Sequence, residues 1–171
     1  RIVRVWQTRT GQLLHETQLP GKVTCLAFNP SAKLLGVGVA QEKRFFLHFL
    51  EAETGKMVFQ QEIAAHPETM AFPDDHFLAW GGYRGRLGLV NLHTKQASTS
   101  RAHRGTVQAI AFHPTRPILA SVSENDRQIR LSELQYVEGQ APQLREAWVL
   151  ESLSVVSRLC FTPDGKRLAA I

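Results

Sequence analysis

A phenylalanine recurs one or two residues before a proline, at the end of a short apolar run. It does so four times in the 171 residues, at Phe28, Phe72, Phe112 and Phe161, in steps of 44, 40 and 49 residues. A period of roughly 40 to 50 residues is typical of architectures that stack one supersecondary unit on the next. The repeat therefore constrains the fold more than any single residue does.

Each repeat is predicted to begin with a β-strand that ends at this phenylalanine. The residue two positions earlier is always apolar and the residue one position earlier is always small, which is the period-two pattern of a strand. A second apolar strand follows the proline turn, and a third recurs in fixed register at residues 3–6, 47–50, 87–90 and 129–132. A hairpin turn and a weaker fourth strand complete the unit.

Four antiparallel strands in one sheet cannot bury both faces, whereas radial stacking of such sheets can. The sequence therefore predicts an all-β fold, a β-propeller of four-stranded antiparallel blades, and no helix. We expect one propeller segment over residues 1–171, with an enlarged loop from Gln135 to Ala147. Its predicted parts are the end of a blade (1–19), three whole blades (20–62, 63–100, 101–150) and the start of a blade (151–171).

The two partial blades leave two interpretations of the ring. They could join and seal a four-bladed ring, or the chain could be a fragment of a longer propeller. Open edge strands would in that case invite pairing with another chain.

Composition narrows the partners and the compartment. The net charge of +5 favours anionic partners only weakly, because no long block of like charges occurs. The apolar runs are too short for a membrane span. Cys25 and Cys160 have neither disulfide nor metal spacing and are predicted to be buried free thiols, which favours a reducing, cytoplasmic location without fixing it. No ligand spacing predicts a metal or another cofactor.

The chain resembles the WD-repeat (Trp-Asp-forty) family of β-propellers along essentially its whole length. The motifs that carry the resemblance are Val3-Arg4-Val5-Trp6, Phe112-His113-Pro114, Leu119-Ala120-Ser121 and Phe161-Thr162-Pro163-Asp164-Gly165. The family has a structural hydrogen-bond network in each blade, and the resemblance implies this role for His103, Ser121 and Asp126. The first two complete blades lack matching residues, and only the leading partial blade keeps the family's tryptophan, as Trp6, so the copies are degenerate. Rings of this family usually have about seven blades, so the resemblance favours a fragment of a longer propeller.

Two motifs also admit catalytic or ligand-binding interpretations. His103, Ser121 and Asp126 could form a Ser–His–Asp triad, but no nucleophile elbow surrounds the serine, which favours a structural strut. The glycine-rich stretch at 81–88 could hold a phosphate, but a strand rather than a helix follows it, which favours a hairpin turn.

Charge placement gives the most specific functional hypothesis. In two consecutive blades the family's turn aspartate is replaced by arginine, at Arg44 and Arg84. We predict a basic, aromatic-containing propeller face that docks a protein or an acidic peptide, with arginine contacting carboxylates. The predicted partner-binding residues are Arg44, Tyr83, Arg84, Arg86, Arg104, Arg127 and Trp80, the tryptophan being alternatively a core residue. The alternative is a solvated turn surface that binds no partner.

The sequence thus predicts a non-catalytic protein–protein interaction scaffold and does not favour nucleic acid as the partner. One alternative is a regulatory or docking propeller of a larger enzyme, such as a signalling kinase. Another is a propeller hydrolase, which would need polar metal ligands recurring at strand starts near the axis, and the aligned copies show none.

Overall fold

The computed structural model describes residues 1–171. The chain forms sixteen β-strands, which are arranged in five antiparallel sheets. The strands are β1 (Ile2–Trp6), β2 (Leu13–Gln18), β3 (Lys22–Phe28), β4 (Leu34–Gln41), β5 (Arg44–Glu51), β6 (Met57–Ile63), β7 (Pro67–Ala71), β8 (Phe77–Gly82), β9 (Arg86–Asn91), β10 (Ala97–Arg101), β11 (Val107–Phe112), β12 (Ile118–Ser123), β13 (Gln128–Gln135), β14 (Gln143–Glu151), β15 (Leu159–Phe161) and β16 (Leu168–Ala170).

Neighbouring strands in the chain are neighbours in each sheet. Three four-stranded sheets, β3–β6, β7–β10 and β11–β14, follow one another and are flanked by the two-stranded sheets β1–β2 and β15–β16. This arrangement confirms the prediction of an all-β chain of four-stranded antiparallel blades. Strands β1 and β16 belong to separate sheets, so this structure does not contain the four-bladed closure, and pairing of their edges with another chain stays a prediction.

The core consists of layers between successive sheets. The second layer joins β5 to the next blade, where Leu47 and Phe49 pack with Leu78 and Trp80, all fully buried. Equivalent layers hold β1 and Leu19 on β4–β5, β8–β9 on β11–β12, and β12–β13 on the last sheet. Each blade thus buries its faces only against its neighbours, as a stacked repeat requires.

The recurring phenylalanine contributes to these layers where a preceding blade covers it. A Cβ atom at Gly36 would lie 3.1 Å from the Cζ atom of Phe72, so this glycine lets the ring of the next blade approach closely. Leu26 and Phe28 remain 53% and 46% exposed, because only β1 and β2 precede their sheet. The apolar face of the first copy is therefore only partly covered.

Three details of the chain differ from the prediction. Residues Tyr83–Gly85 form a single 3₁₀ turn, whereas the sequence predicts no helix. The predicted loop from Gln135 to Ala147 is shorter, because Gln143–Glu151 pairs with β13 as a strand. Cys160 is exposed and Cys25 is half-buried, so the prediction of two buried thiols is wrong for Cys160, whose strand lies in the last, two-stranded sheet.

The first strand of each complete blade carries a β-bulge near its start. The register shifts between Val23 and Cys25, between Pro67 and Thr69, and between Val107 and Ala109. The residues left without a ladder partner are therefore Thr24, Glu68 and Gln108, at the same position of the repeat. A bulge re-aims the extra side chain, so these three polar residues form a recurring set.

Candidate interaction surface

The structure brings His103, Ser121 and Asp126 into contact. The Nδ1 atom of His103 lies 2.7 Å from Oδ2 of Asp126, and its Nε2 atom lies 2.9 Å from Oγ of Ser121. Because an ionised carboxylate can only accept, Nδ1 carries the proton and donates to Asp126. Burial lowers the pKa of His103, although hydrogen bonding to Asp126 opposes this, so the imidazole is neutral and Nε2 accepts from the Ser121 hydroxyl.

A catalytic triad requires the same sequence of contacts, from Asp through His to Ser, but here a substrate cannot reach the serine. Ser121 is fully buried, and His103 and Asp126 are also buried. A nucleophilic hydroxyl needs an open side at which a substrate carbonyl can be attacked. The three residues join the link before β11 to β12 and to the turn before β13, and we propose that they act as a structural strut.

Four arginines surround one surface recess of about 280 Å³ beside this strut. The arginine recess is lined by Arg84, Arg86, Arg101 and Arg104 and by no acidic residue. None of the four lies within 4.0 Å of a carboxylate oxygen. The recess is therefore a concentration of positive charge that the chain itself does not neutralise.

Backbone contacts hold these arginines in place. The carbonyl oxygen of Gly85 accepts hydrogen bonds from the N–H groups of Ala102 and His103, at 2.9 and 3.3 Å. Gly85 has a φ of +71°, and a Cβ atom there would collide with the carbonyl oxygen of His103. The N–H of Arg104 donates to Asp126, so a hydrogen bond connects the recess to the strut. Only glycine allows this close approach between the turn and the link.

Arg44 differs from the recess arginines because its charge is already paired. Its Nε and Nη2 atoms donate to the two carboxylate oxygens of Glu62 at 3.0 and 2.6 Å. This hydrogen bonding raises the pKa of Arg44 and lowers that of Glu62. Arg127 is exposed and lines an adjoining depression together with Arg104. The structure therefore groups Arg84, Arg86 and Arg104, and leaves Arg44 outside the recess.

The two aromatic residues of the predicted surface have opposite environments. Tyr83 is 48% exposed and stacks on the ring of His66 with a centroid separation of 4.6 Å. Trp80 is fully buried in the layer between the first two complete blades. Trp80 is therefore a core residue, and the prediction that it contacts a partner is wrong. Its place in the centre of β8 puts it between two sheets rather than at the turn.

Sequence reasoning missed a polar groove at the first strands of the blades. The groove has a volume of about 1150 Å³, and its lining includes Glu68, Gln108 and Ser157. The signal that could have identified it is the polar residue four positions before each phenylalanine, since two of these three are bulge residues. Glu68 lies 2.9 Å from the Nδ1 atom of His66. No group of three or more His, Cys, Asp or Glu side chains is arranged to hold a metal ion.

No helix in the structure has the length and apolar character needed to cross a bilayer.

Residues 94–131 match the family model of the WD domain, G-beta repeat. This segment runs from the end of one blade through the third strand of the next, which is the unit that the apolar register repeats. The chain belongs to the WD-repeat proteins, and its sheets are blades of that class.

Two curated proteins are similar to this chain over much of its length. The ribosome biogenesis protein BOP1 of Mus musculus is 31% identical over 141 residues, which is 72% of this chain and 18% of that protein. The BOP1 protein of Rattus norvegicus is 30% identical over 112 residues, which is 61% of this chain and 14% of that protein. The chain thus spans less than a fifth of the length of these relatives.

Proposed function

We propose that this chain is a non-catalytic scaffold that binds an acidic segment of a partner protein at the arginine recess. The observation that carries the proposal is the recess itself, four arginines without a carboxylate. Guanidinium groups bind carboxylates in a bidentate manner, and a ligand's negative charge would relieve their mutual repulsion. Exposed Arg127 lines an adjoining depression that shares Arg104 with the recess, and exposed Tyr83 precedes Arg84 in the chain, so both extend the surface available to a partner.

A scaffold role fits the remaining features better than an enzyme does. The one Ser–His–Asp arrangement has no access to a substrate, and the polar groove contains a single bulge carboxylate, that of Glu68, rather than a recurring set. The relatives are named for ribosome biogenesis. We extend this to the present chain as part of the proposal, with its partners among the proteins of that process.

The proposal is tested by charge reversal in the recess. We expect the Arg84→Glu, Arg86→Glu double variant to lose specific proteins that the wild-type chain retains from a cell lysate. Its melting temperature should be no lower than that of the wild type, because Arg86→Glu places a carboxylate opposite Arg101. Arg9→Glu is the matched control, because Arg9 is an exposed arginine in the turn of a different sheet. The proposal is wrong if both variants retain the same proteins as the wild type.

A further inference from the structure

The strands β9 and β10 place two arginines directly opposite each other. Arg86 pairs with Arg101 in the antiparallel register, and like charges at such positions destabilise a sheet. Elsewhere an arginine of a blade's third strand forms an ion pair with a carboxylate of the neighbouring fourth strand. Arg4 lies opposite Glu16 with an Nε–Oε2 distance of 2.7 Å, and Arg130 forms an ion pair with Glu146 across β13 and β14. The Arg86–Arg101 pair is the exception.

The third arginine of the recess sits on an unusual backbone conformation. Arg84 has a φ of 59° and a ψ of 28°, the left-handed region that residues with a side chain seldom adopt. Such conformations persist where the surrounding structure fixes them. Here the following residue, Gly85, is fixed by its two hydrogen bonds to the link that carries Arg104. The recess is thus preorganised from two sides.

The number of arginines in the recess indicates which anion fits it better, a carboxylate or a phosphate monoester. A carboxylate carries one negative charge and is satisfied by one bidentate guanidinium. A phosphate monoester carries about −1.5 to −2 at neutral pH and has three strong acceptor oxygens, which several arginines can share. The recess, at about 280 Å³, is slightly smaller than the roughly 300 to 1,000 Å³ typical of small-molecule sites. It suits one functional group on a larger partner.

From these observations we infer that the arginine recess receives a phosphorylated serine or threonine side chain of the partner segment. Arg86 and Arg101 contact the phosphate from the strand pair, and Arg84 and Arg104 contact it from the turn and the link. The bound dianion replaces the missing counterion of the Arg86–Arg101 pair. This inference rests on the proposed function and specifies the ligand chemistry of the same surface.

The test compares three fluorescent peptides of one sequence that differ at a single position, serine, glutamate or phosphoserine. We expect the phosphoserine peptide to bind the chain at least about tenfold more tightly than the glutamate peptide in fluorescence anisotropy. The Arg86→Ala, Arg101→Ala double variant should lose this preference, whereas Arg9→Ala should keep it. Circular dichroism melting confirms that both variants are folded.

The other outcomes separate this inference from the proposed function. Equal affinity for the glutamate and phosphoserine peptides overturns the phosphate site and leaves an acidic-segment surface in place. If none of the three peptides binds the recess, the phosphate site is overturned. The lysate experiment then tests the proposed function independently. A single-stranded RNA oligonucleotide that binds more tightly than the phosphopeptide, and is lost in the same double variant, would identify a nucleic-acid surface instead. Inorganic phosphate that competes only as strongly as sulfate would also contradict a specific phosphate site.

Discussion

Arg86 and Arg101 lie directly opposite each other on β9 and β10, and no carboxylate lies within 4.0 Å of either. The pair costs stability in the unbound chain and gains a counterion when an anion binds. Arg101→Glu places a carboxylate opposite Arg86, and we expect it to stabilise the chain by about 0.2 to 1 kcal/mol. Urea unfolding measures the change. The same variant should bind the phosphoserine peptide more weakly, and a loss of both stability and affinity would contradict this explanation.

The buried imidazole of His48 predicts a second effect on stability. His48 is 1% exposed, and neither ring nitrogen has a hydrogen-bond partner. An unpartnered buried polar group costs roughly 1 to 3 kcal/mol. His48→Leu should therefore raise the free energy of unfolding at neutral pH. A fall comparable to that of a core truncation would show that the imidazole makes a favourable contact.

His48 also predicts the pH dependence of stability. Burial lowers the pKa of His48 below its ordinary value, and that of His103 is lowered as well. The unfolded chain then binds protons more readily, so stability is fully present above about pH 6.5 and is lost as the pH falls. Unfolding between pH 5 and 8 should show this slope. His48→Leu should reduce this dependence of stability on pH, and the dependence that remains should come from His103.

The strut makes a prediction about stability and binding together. Asp126→Ala leaves the buried Nδ1–H group of His103 without an acceptor and removes the acceptor of the Arg104 N–H, at an expected cost of about 1 to 3 kcal/mol. Ser121→Ala removes only the contact to Nε2. We therefore expect the aspartate variant to weaken phosphopeptide binding more than the serine variant does. Labelling of the buried Ser121 by an active-site serine probe would show that the strut is a catalytic site.

The two thiols should react very differently. Burial raises the pKa of Cys25 to about 11, so its thiol stays protonated at neutral pH, whereas Cys160 is exposed. A thiolate is the reactive form, and reaction also requires access. A chromogenic disulfide reagent should therefore modify one thiol of the native chain rapidly, and mass spectrometry of peptides should locate it at Cys160. Rapid modification of Cys25 would indicate that β3 and β4 open locally.

The sequence predicts the blades well because strand periodicity and turn chemistry are local properties. The environment of a single side chain depends instead on distant residues. Trp80 follows an apolar run beside a glycine-rich turn, and only the packing of the neighbouring blade buries it. The charge of Arg44 is neutralised by Glu62, eighteen residues further on. The arginine recess could be predicted in part, because the opposition of Arg86 and Arg101 follows once the hairpin register is known.

The chemical shifts of the arginine side chains test the central claim most directly. The Nε–Hε resonances of a ¹⁵N-labelled chain are recorded during titration with the phosphoserine peptide. We expect the resonances of Arg84, Arg86, Arg101 and Arg104 to shift with one common affinity, while those of Arg4 and Arg44, already paired with carboxylates, stay in place. Shifts confined to arginines outside the recess, or no shift on addition of peptide, would contradict the account.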